Sequence, residues 1–409
     1  MKKILYYLPL MVFLLSASLT AKALHHIPTV YITTADGKAV TSREEWKKGT
    51  TLRIILPDST VAYEAHDVSV KSRGHSTFTK PKKPYAIKLA QKSSLLGMKA
   101  DRRWVLLANF MDHSNVRNSL ALAIAKQASL NWTPDSRLVD VVLNGQLQGC
   151  YLLSESVEVR PYRIPINDGG FLVEGDSYAD EDQSFRTTHK RLPLTIKYPE
   201  ELTPQQIKGI ESYFDEIEKL LYTEDTNWKI VFKKYIDKES FADWWIIHEL
   251  TQNAEPNGPR SCYMHKTKNG LLKMGPVWDF DLAFINVGLD GKGDIRPSRF
   301  HLPNVKNLTG DSLYNHDAMW YGRLFDSSEF VQEVKNRWKR LKPRFERLTS
   351  EIDNWKVLLK PSAIDNDSLW QGQDPARFDI YLSFDASIEN LKKVYEYRLK
   401  ALNKLIGDL

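Results

Sequence analysis

The chain has 409 residues, 42% of them hydrophobic and 26% charged, with a formal net charge of +6. Such a length predicts a bilobal unit or two domains, and the composition is ordinary for a globular protein. The charge is far from the strong basic field of a nucleic-acid binder, so no nucleic-acid partner is expected.

The first predicted element is a targeting signal. Residues 1–23 carry two lysines, an apolar run from about Ile4 to Leu15, and small residues ending at Ala23. This is the layout of a secretory signal peptide cleaved after Ala23, and the run is short of the ~20 residues a spanning helix needs. The expectation is export to the periplasm, the cell surface or the medium, with no membrane span after cleavage. Removing Lys2, Lys3 and Lys22 leaves a charge of +3. Cys150 and Cys262 could pair in such a compartment or remain two buried thiols.

Short β-like runs follow at Thr29–Thr33, Thr51–Leu56, Val68–Lys71, Tyr85–Leu89 and Trp104–Leu107. An amphipathic helix is predicted over Asn115–Ala128, with Ser114 as its cap. Leu138–Leu143 and Gln148–Leu153 read as a hairpin closed by Asn144-Gly145, and Gly170–Glu174 as a further strand. The rear of the chain is mostly helical: Thr203–Leu221, Asp237–Asn253, Ser328–Ile352 and Pro375–Leu405. Between these lie β runs at Cys262–Lys266, Leu271–Met274 and Val277–Phe280.

The last of these runs belongs to GPVWDFDLAF, which sets Asp279 and Asp281 among apolar residues. In a strand, residues two apart share a face, so the two carboxylates would point together. A same-face pair repels, and burying it is costly unless a cation neutralises it. Mg²⁺, bound by one or two carboxylates plus substrate phosphates, is one solution; an ion pair with Lys or Arg is the other. Upstream, KSRGHSTFTKPKKPYAIKL offers Arg73, the Ser76 turn and Lys88 as a cradle for an anionic group. Lys80, Lys82 and Lys83 read as a solvated cluster protecting a sheet edge. The polar loop after Asn253, with Glu255, is a candidate to carry chemistry. Phosphate-loop, HExxH, GxSxG and paired CxxC motifs do not occur.

The segments RGHSTFTKPKKPYAIKL, RRWVLLANFMDHSNVRNSLALAIA, VDVVLNGQLQGCYLLSE, GGFLVEGD, ESFADWWIIHELTQNAE, RSCYMHK and GPVWDFDLAF, in this order, resemble the CotH kinase family. The resemblance runs from about residue 68 to 285. It implies an α+β, bilobal, protein-kinase-like fold with a β-rich N-lobe, a mostly helical C-lobe and Mg·ATP (or Mn·ATP) between them. The expected division is a β-rich extension over 24–67, an N-lobe over 68–165 and a C-lobe over 166–409, with the metal-site strand near 277–283. The resemblance further implies Asp279 and Asp281 as metal ligands and Lys88 on the nucleotide phosphates. Arg73 and Ser76 would cover those phosphates, and Glu255 stands where the family carries a catalytic aspartate. The expected activity is transfer of the ATP γ-phosphate to Ser or Thr of an extracytoplasmic protein. The alternative is a weak or inactive kinase-fold protein that binds an anionic or polysaccharide ligand.

Overall fold

The computed structural model describes residues 23–128, 130–178, 183–284, 312–370, 372–373 and 383–409, and the backbone of 288–289 and 295–296. The expected signal peptide therefore lies, apart from Ala23, outside the described residues.

Seven strands form a closed barrel: β1 (Thr29–Thr33), β2 (Lys47–Ile55), β3 (Val61–Ser72), β4 (Tyr85–Ser93), β5 (Asp101–Leu107), β6 (Ser136–Leu143) and β7 (Gln146–Glu155). Neighbours pair antiparallel except β1 and β6, whose parallel pairing of Thr29–Ile32 with Asp140–Leu143 closes the ring. Closure leaves no sheet edge to protect. Alternate residues fill the interior, among them Val68, Val70, Ile87, Leu89, Trp104, Leu106 and Val139. Asn144 and Gly145, with φ of 50° and 78°, make the primed turn that matches strand twist in the β6–β7 hairpin. The expected division falls at residue 67. β3 runs unbroken across it, and β1 and β2 are staves of the same barrel as β4–β7.

Between β5 and β6 the chain forms α1 (Arg117–Gln127), most of which is buried. The N-cap position is Val116 rather than the expected Ser114, and the capping bond comes from upstream: Asp112 Oδ2 accepts the Arg117 amide at 2.9 Å, and Oδ1 accepts the Ser114 amide at 2.9 Å.

A second, antiparallel sheet follows, built from β8 (Phe171–Gly175), β9 (Ser184–Arg186), β10 (Pro193–Tyr198), β11 (Cys262–Lys266) and β12 (Lys273–Met274), in the order β12-β11-β8-β10-β9. A short pair, β13 (Gly288–Leu289) and β14 (Ile295–Arg296), comes later. The helices of this half are α2 (Pro204–Leu221), α3 (Trp228–Ile230), α4 (Lys238–Leu250), α5 (Tyr321–Leu324), α6 (Ser328–Glu346), α7 (Thr349–Trp370) and α8 (Phe384–Gly407). Thr203 and Gln206 form a capping box on α2, and Asp237 accepts the Ser240 amide at 2.8 Å on α4. The helix expected over 328–352 is two, α6 and α7. The result is an α+β architecture, β-rich first and helical after, in general accord with a bilobal kinase-like fold.

α7 braces the barrel. Lys82, expected in solvent, is buried and donates to the Cys150 carbonyl at 2.5 Å and to Asn366 Oδ1 at 2.7 Å. Its stem and charge are held by packing and acceptors, so the solvated reading of that lysine is corrected. Gly149 permits this approach, since a Cβ there would lie 2.4 Å from Asn366 Oδ1. Cys150 and Cys262 are both free and buried.

Candidate active site

The segment from Gly275 to Phe284 leaves β12 and crosses between the barrel and the helical half without joining a ladder. Asp279 has φ +61°, a left-handed conformation that Asp adopts more readily than most residues. Its carbonyl accepts Asn253 Nδ2 at 3.2 Å, and the Phe280 amide donates to Asn118 Oδ1 at 2.9 Å. Side chains from α1 and from the end of α4 thus take the backbone groups that a strand would have given to a neighbour. The expected metal-site strand over 277–283 is corrected, and with it the i, i+2 alternation as the reason for a shared face.

The two carboxylates nevertheless share one environment. Asp281 is pushed up to about 7 by burial and then by the charge of Asp279, against the Asn118 hydrogen bond. Asp279 is open to solvent but surrounded by protein, and that crowding raises it against the pull of Arg73 and Arg260. Asn118 Nδ2 donates to Asp281 Oδ1, and Arg117 Nη1 donates to the Asp281 carbonyl at 3.3 Å. Arg117 Nε in turn lies 3.6 Å from Asp112 Oδ1. The start of α1 is therefore a clamp on residues 280–281.

Arg73, at the end of β3, reaches this group. Burial lowers its guanidinium, while Asp279, Tyr263, Asp281 and Glu174 act to keep it charged. It also sits 5.7 Å above the Trp278 ring. Trp278 packs with Val105 on the outer face of the barrel and with Leu172 and Tyr263 of the second sheet, which fixes the floor beneath Arg73.

Glu255 lies in the short turn after α4 and is buried. Arg260 binds both its oxygens, Nε to Oε2 at 2.7 Å and Nη2 to Oε1 at 3.2 Å. Burial first and Asp279 second push the Glu255 carboxyl up to about 7, against the pull of Arg260. Tyr178 is a further neighbour of Arg260, and its ring stacks on His75 at 3.8 Å. Ser177 pins the same loop by donating to the carbonyls of Gly258 and Pro259 at 2.7 and 3.0 Å.

Of the residues singled out in the sequence, Arg73, Glu255, Asp279 and Asp281 come together in this one charge cluster. Lys88 and Ser76 make no hydrogen bond or ion pair with it among the described residues. Ile87 and Leu89 point into the barrel, so Lys88 stands on the outer face, half-buried, beside Ser69 and Arg103. Ser76 is exposed and starts the turn Thr77–Thr79, its carbonyl accepting the Thr79 hydroxyl at 2.7 Å. The loop it belongs to reaches the site through His75. Residues that the sequence reading missed are Asp112, Arg117, Asn118, Tyr178 and Arg260. The spacing of Asp112 before a helix start was the one available signal among them.

Among the described residues, no group of three or more His, Cys, Asp or Glu side chains is arranged to hold a metal ion. A pair is sufficient for Mg²⁺, which takes one or two carboxylates and completes its shell with phosphates and water. The raised carboxyls of Asp279 and Asp281 are the expected signature of a pair that lacks a full counter-charge. The residues therefore fit such an ion.

The profile of the CotH kinase protein family matches residues 70–402. The chain belongs to the CotH kinase family. No match to a curated protein is found. The CotH span starts inside β3 and ends inside α8, so it contains every residue of the cluster. Membership carries a kinase-like function in general terms. Among the described residues, no helix is long and apolar enough to cross a membrane.

Proposed function

We propose that this CotH kinase transfers the γ-phosphate of ATP to Ser or Thr hydroxyls of an exported, extracytoplasmic protein. The observation that supports it best is the convergence of Arg73, Glu255, Asp279 and Asp281 on one cluster, from three separate stretches of a family member. Phosphoryl transfer asks for positioning and charge neutralisation more than for covalent chemistry. Asp279 and Asp281 would hold Mg²⁺ (or Mn²⁺), which when bound supplies positive charge to phosphate oxygens. Arg73 brings a fixed cation to the same place. Lys88 and the Ser76 turn are assigned to the phosphates on the barrel side. Glu255, with its carboxyl near 7, is partly ionised at neutral pH and would accept the hydroxyl proton.

The bidentate hold of Arg260 on Glu255 favours a second reading, a protein that binds an anionic or polysaccharide ligand without transferring phosphate. One experiment separates the two. The protein is incubated with γ-labelled ATP and Mg²⁺ or Mn²⁺, beside Asp279→Ala and Glu255→Gln. Incorporation into itself or an added protein, reduced about 100-fold or more in both variants, is expected. Nucleotide binding without incorporation would favour the second reading, and no nucleotide-induced thermal shift with either metal would sink the first.

A further inference from the structure

One stripe of α1, Ser119, Leu122, Ala123 and Lys126, follows the i, i+3, i+4, i+7 spacing of a single helix face. It walls a cavity of about 770 Å³ that none of the carboxylates above lines. Leu138 and Leu152 of the barrel strands, Leu96 of the β4–β5 connection and Trp355 of α7 complete an apolar lining. The volume falls in the range of small-molecule sites, roughly 300–1,000 Å³. Two features make it more than an apolar hollow. Ser119 is only 8% exposed, and its hydroxyl has no hydrogen-bond partner among the described residues, which is uncommon for a buried polar group. Lys126 and Arg137, both partly exposed and both lining the cavity, share a single carboxylate, Asp135, at 2.5 and 2.9 Å. Glu155, which accepts the Asp135 amide, has Arg163 at 3.8 Å, an arginine that also lies 3.3 Å from Asp101. Lys126 and Arg137 are thus two cations in the lining against the one carboxylate they share, which lies outside it.

We propose that this cavity binds a single-chain aliphatic acid that carries a second polar group along its chain. The carboxylate meets Lys126 and Arg137, the methylenes cover the leucines, and a hydroxyl pairs with Ser119. Seven residues of helix separate Lys126 from Ser119, about 10 Å at 1.5 Å per residue, so the hydroxyl belongs near the far end of a ten-carbon chain.

The test is calorimetric titration of the full chain with octanoate, decanoate and 10-hydroxydecanoate. Saturable 1:1 binding is expected, strengthening about fourfold per added methylene. 10-Hydroxydecanoate should bind about fivefold tighter than decanoate, and Ser119→Ala should erase that difference. Ala123→Trp, which fills the space from a half-buried position, should abolish binding of all three acids. The pair Lys126→Ala and Arg137→Gln should weaken all three about tenfold. Binding that survives Ala123→Trp, or no saturable binding at all, overturns the proposal. So does binding only to vesicles of anionic phospholipid, which would mark a membrane-surface contact instead.

Discussion

Arg260 and burial act on Glu255 in opposite directions, and burial with Asp279 prevails, leaving the carboxyl near 7. Arg260→Gln removes the opposing charge and keeps both upward influences, so the carboxyl moves higher still. The ascending limb of the pH–rate profile for phosphate transfer should shift upward by roughly one to three pH units. An unmoved limb would take the base role away from Glu255. Asp281 gives a test that does not need turnover. Its folded-state carboxyl, near 7, lies above the ordinary 3.8, so the fold favours the protonated form. The stability this contributes is present below about pH 4 and is lost as pH rises through 7. At pH 8 a divalent cation should restore some of it, raising Tm by roughly 2 °C with Mg²⁺ but not at pH 5. Asp281→Asn should raise the metal-free Tm at pH 8 and remove the Mg²⁺ response; an equal response in the variant would exclude Asp281 as a ligand. The sequence disclosed Asp279, Asp281 and Arg73 because charges in apolar or glycine-flanked runs demand an explanation. Arg260 and Asn118 stayed hidden because a polar residue in a loop or on a helix reads the same whether it faces water or a carboxylate.

At the scale of elements, α1 controls the site through its first turn. Asp112 binds the Arg117 and Ser114 amides, while Asn118 and Arg117 hold residues 280–281. Asp112→Ala should destabilise the protein by about 1–2 kcal/mol through the lost capping bond. It should also depress phosphate transfer, since the clamp on Asp281 loosens with the helix start. Ser114→Ala keeps the Asp112 bonds to both amides and should cost less in urea denaturation. If the two variants lose stability equally, Asp112 does not supply the capping bond. Local pattern found the short apolar runs bounded by turn residues, and β1 and β11 fall where those runs predict them. It missed β9 and β10, because β9 is three residues long, β10 starts at Pro193, and the connection between them, residues 187–192, is mostly polar. It misread 277–283 because an apolar run is equally compatible with an irregular segment whose backbone is satisfied by side chains. Only the φ of Asp279 and the donors from Asn253 and Asn118 distinguish the two.

For the whole molecule, the unpredictable step was long-range: β1 closes the barrel on β6, and α7 returns from the far end of the chain to brace it. Neither contact leaves a local pattern, because the residues involved are ordinary within their own segments. Lys82 and Asn366 are 284 positions apart, yet Asn366 Oδ1 accepts from Lys82 Nζ at 2.7 Å and from the Cys150 amide at 3.3 Å. Trp370 adds a bond from its indole to the Gln148 carbonyl at 2.9 Å, and Ser362 one to Asp140 at 3.0 Å. This brace couples the barrel to the helical half that carries Glu255 and Asp279. Asn366→Ala strips one acceptor from a buried ammonium and one from a buried amide, and should cost about 2 kcal/mol or more. Chemical denaturation followed by circular dichroism would measure it, and a loss under about 0.5 kcal/mol would show that the contact does not hold the halves together. Asn366→Asp should retain most of the stability, since a carboxylate in the same place still accepts from both groups and pairs with Lys82. The gap between the Ala and Asp variants then isolates what the buried charge requires from what the packing of α7 supplies.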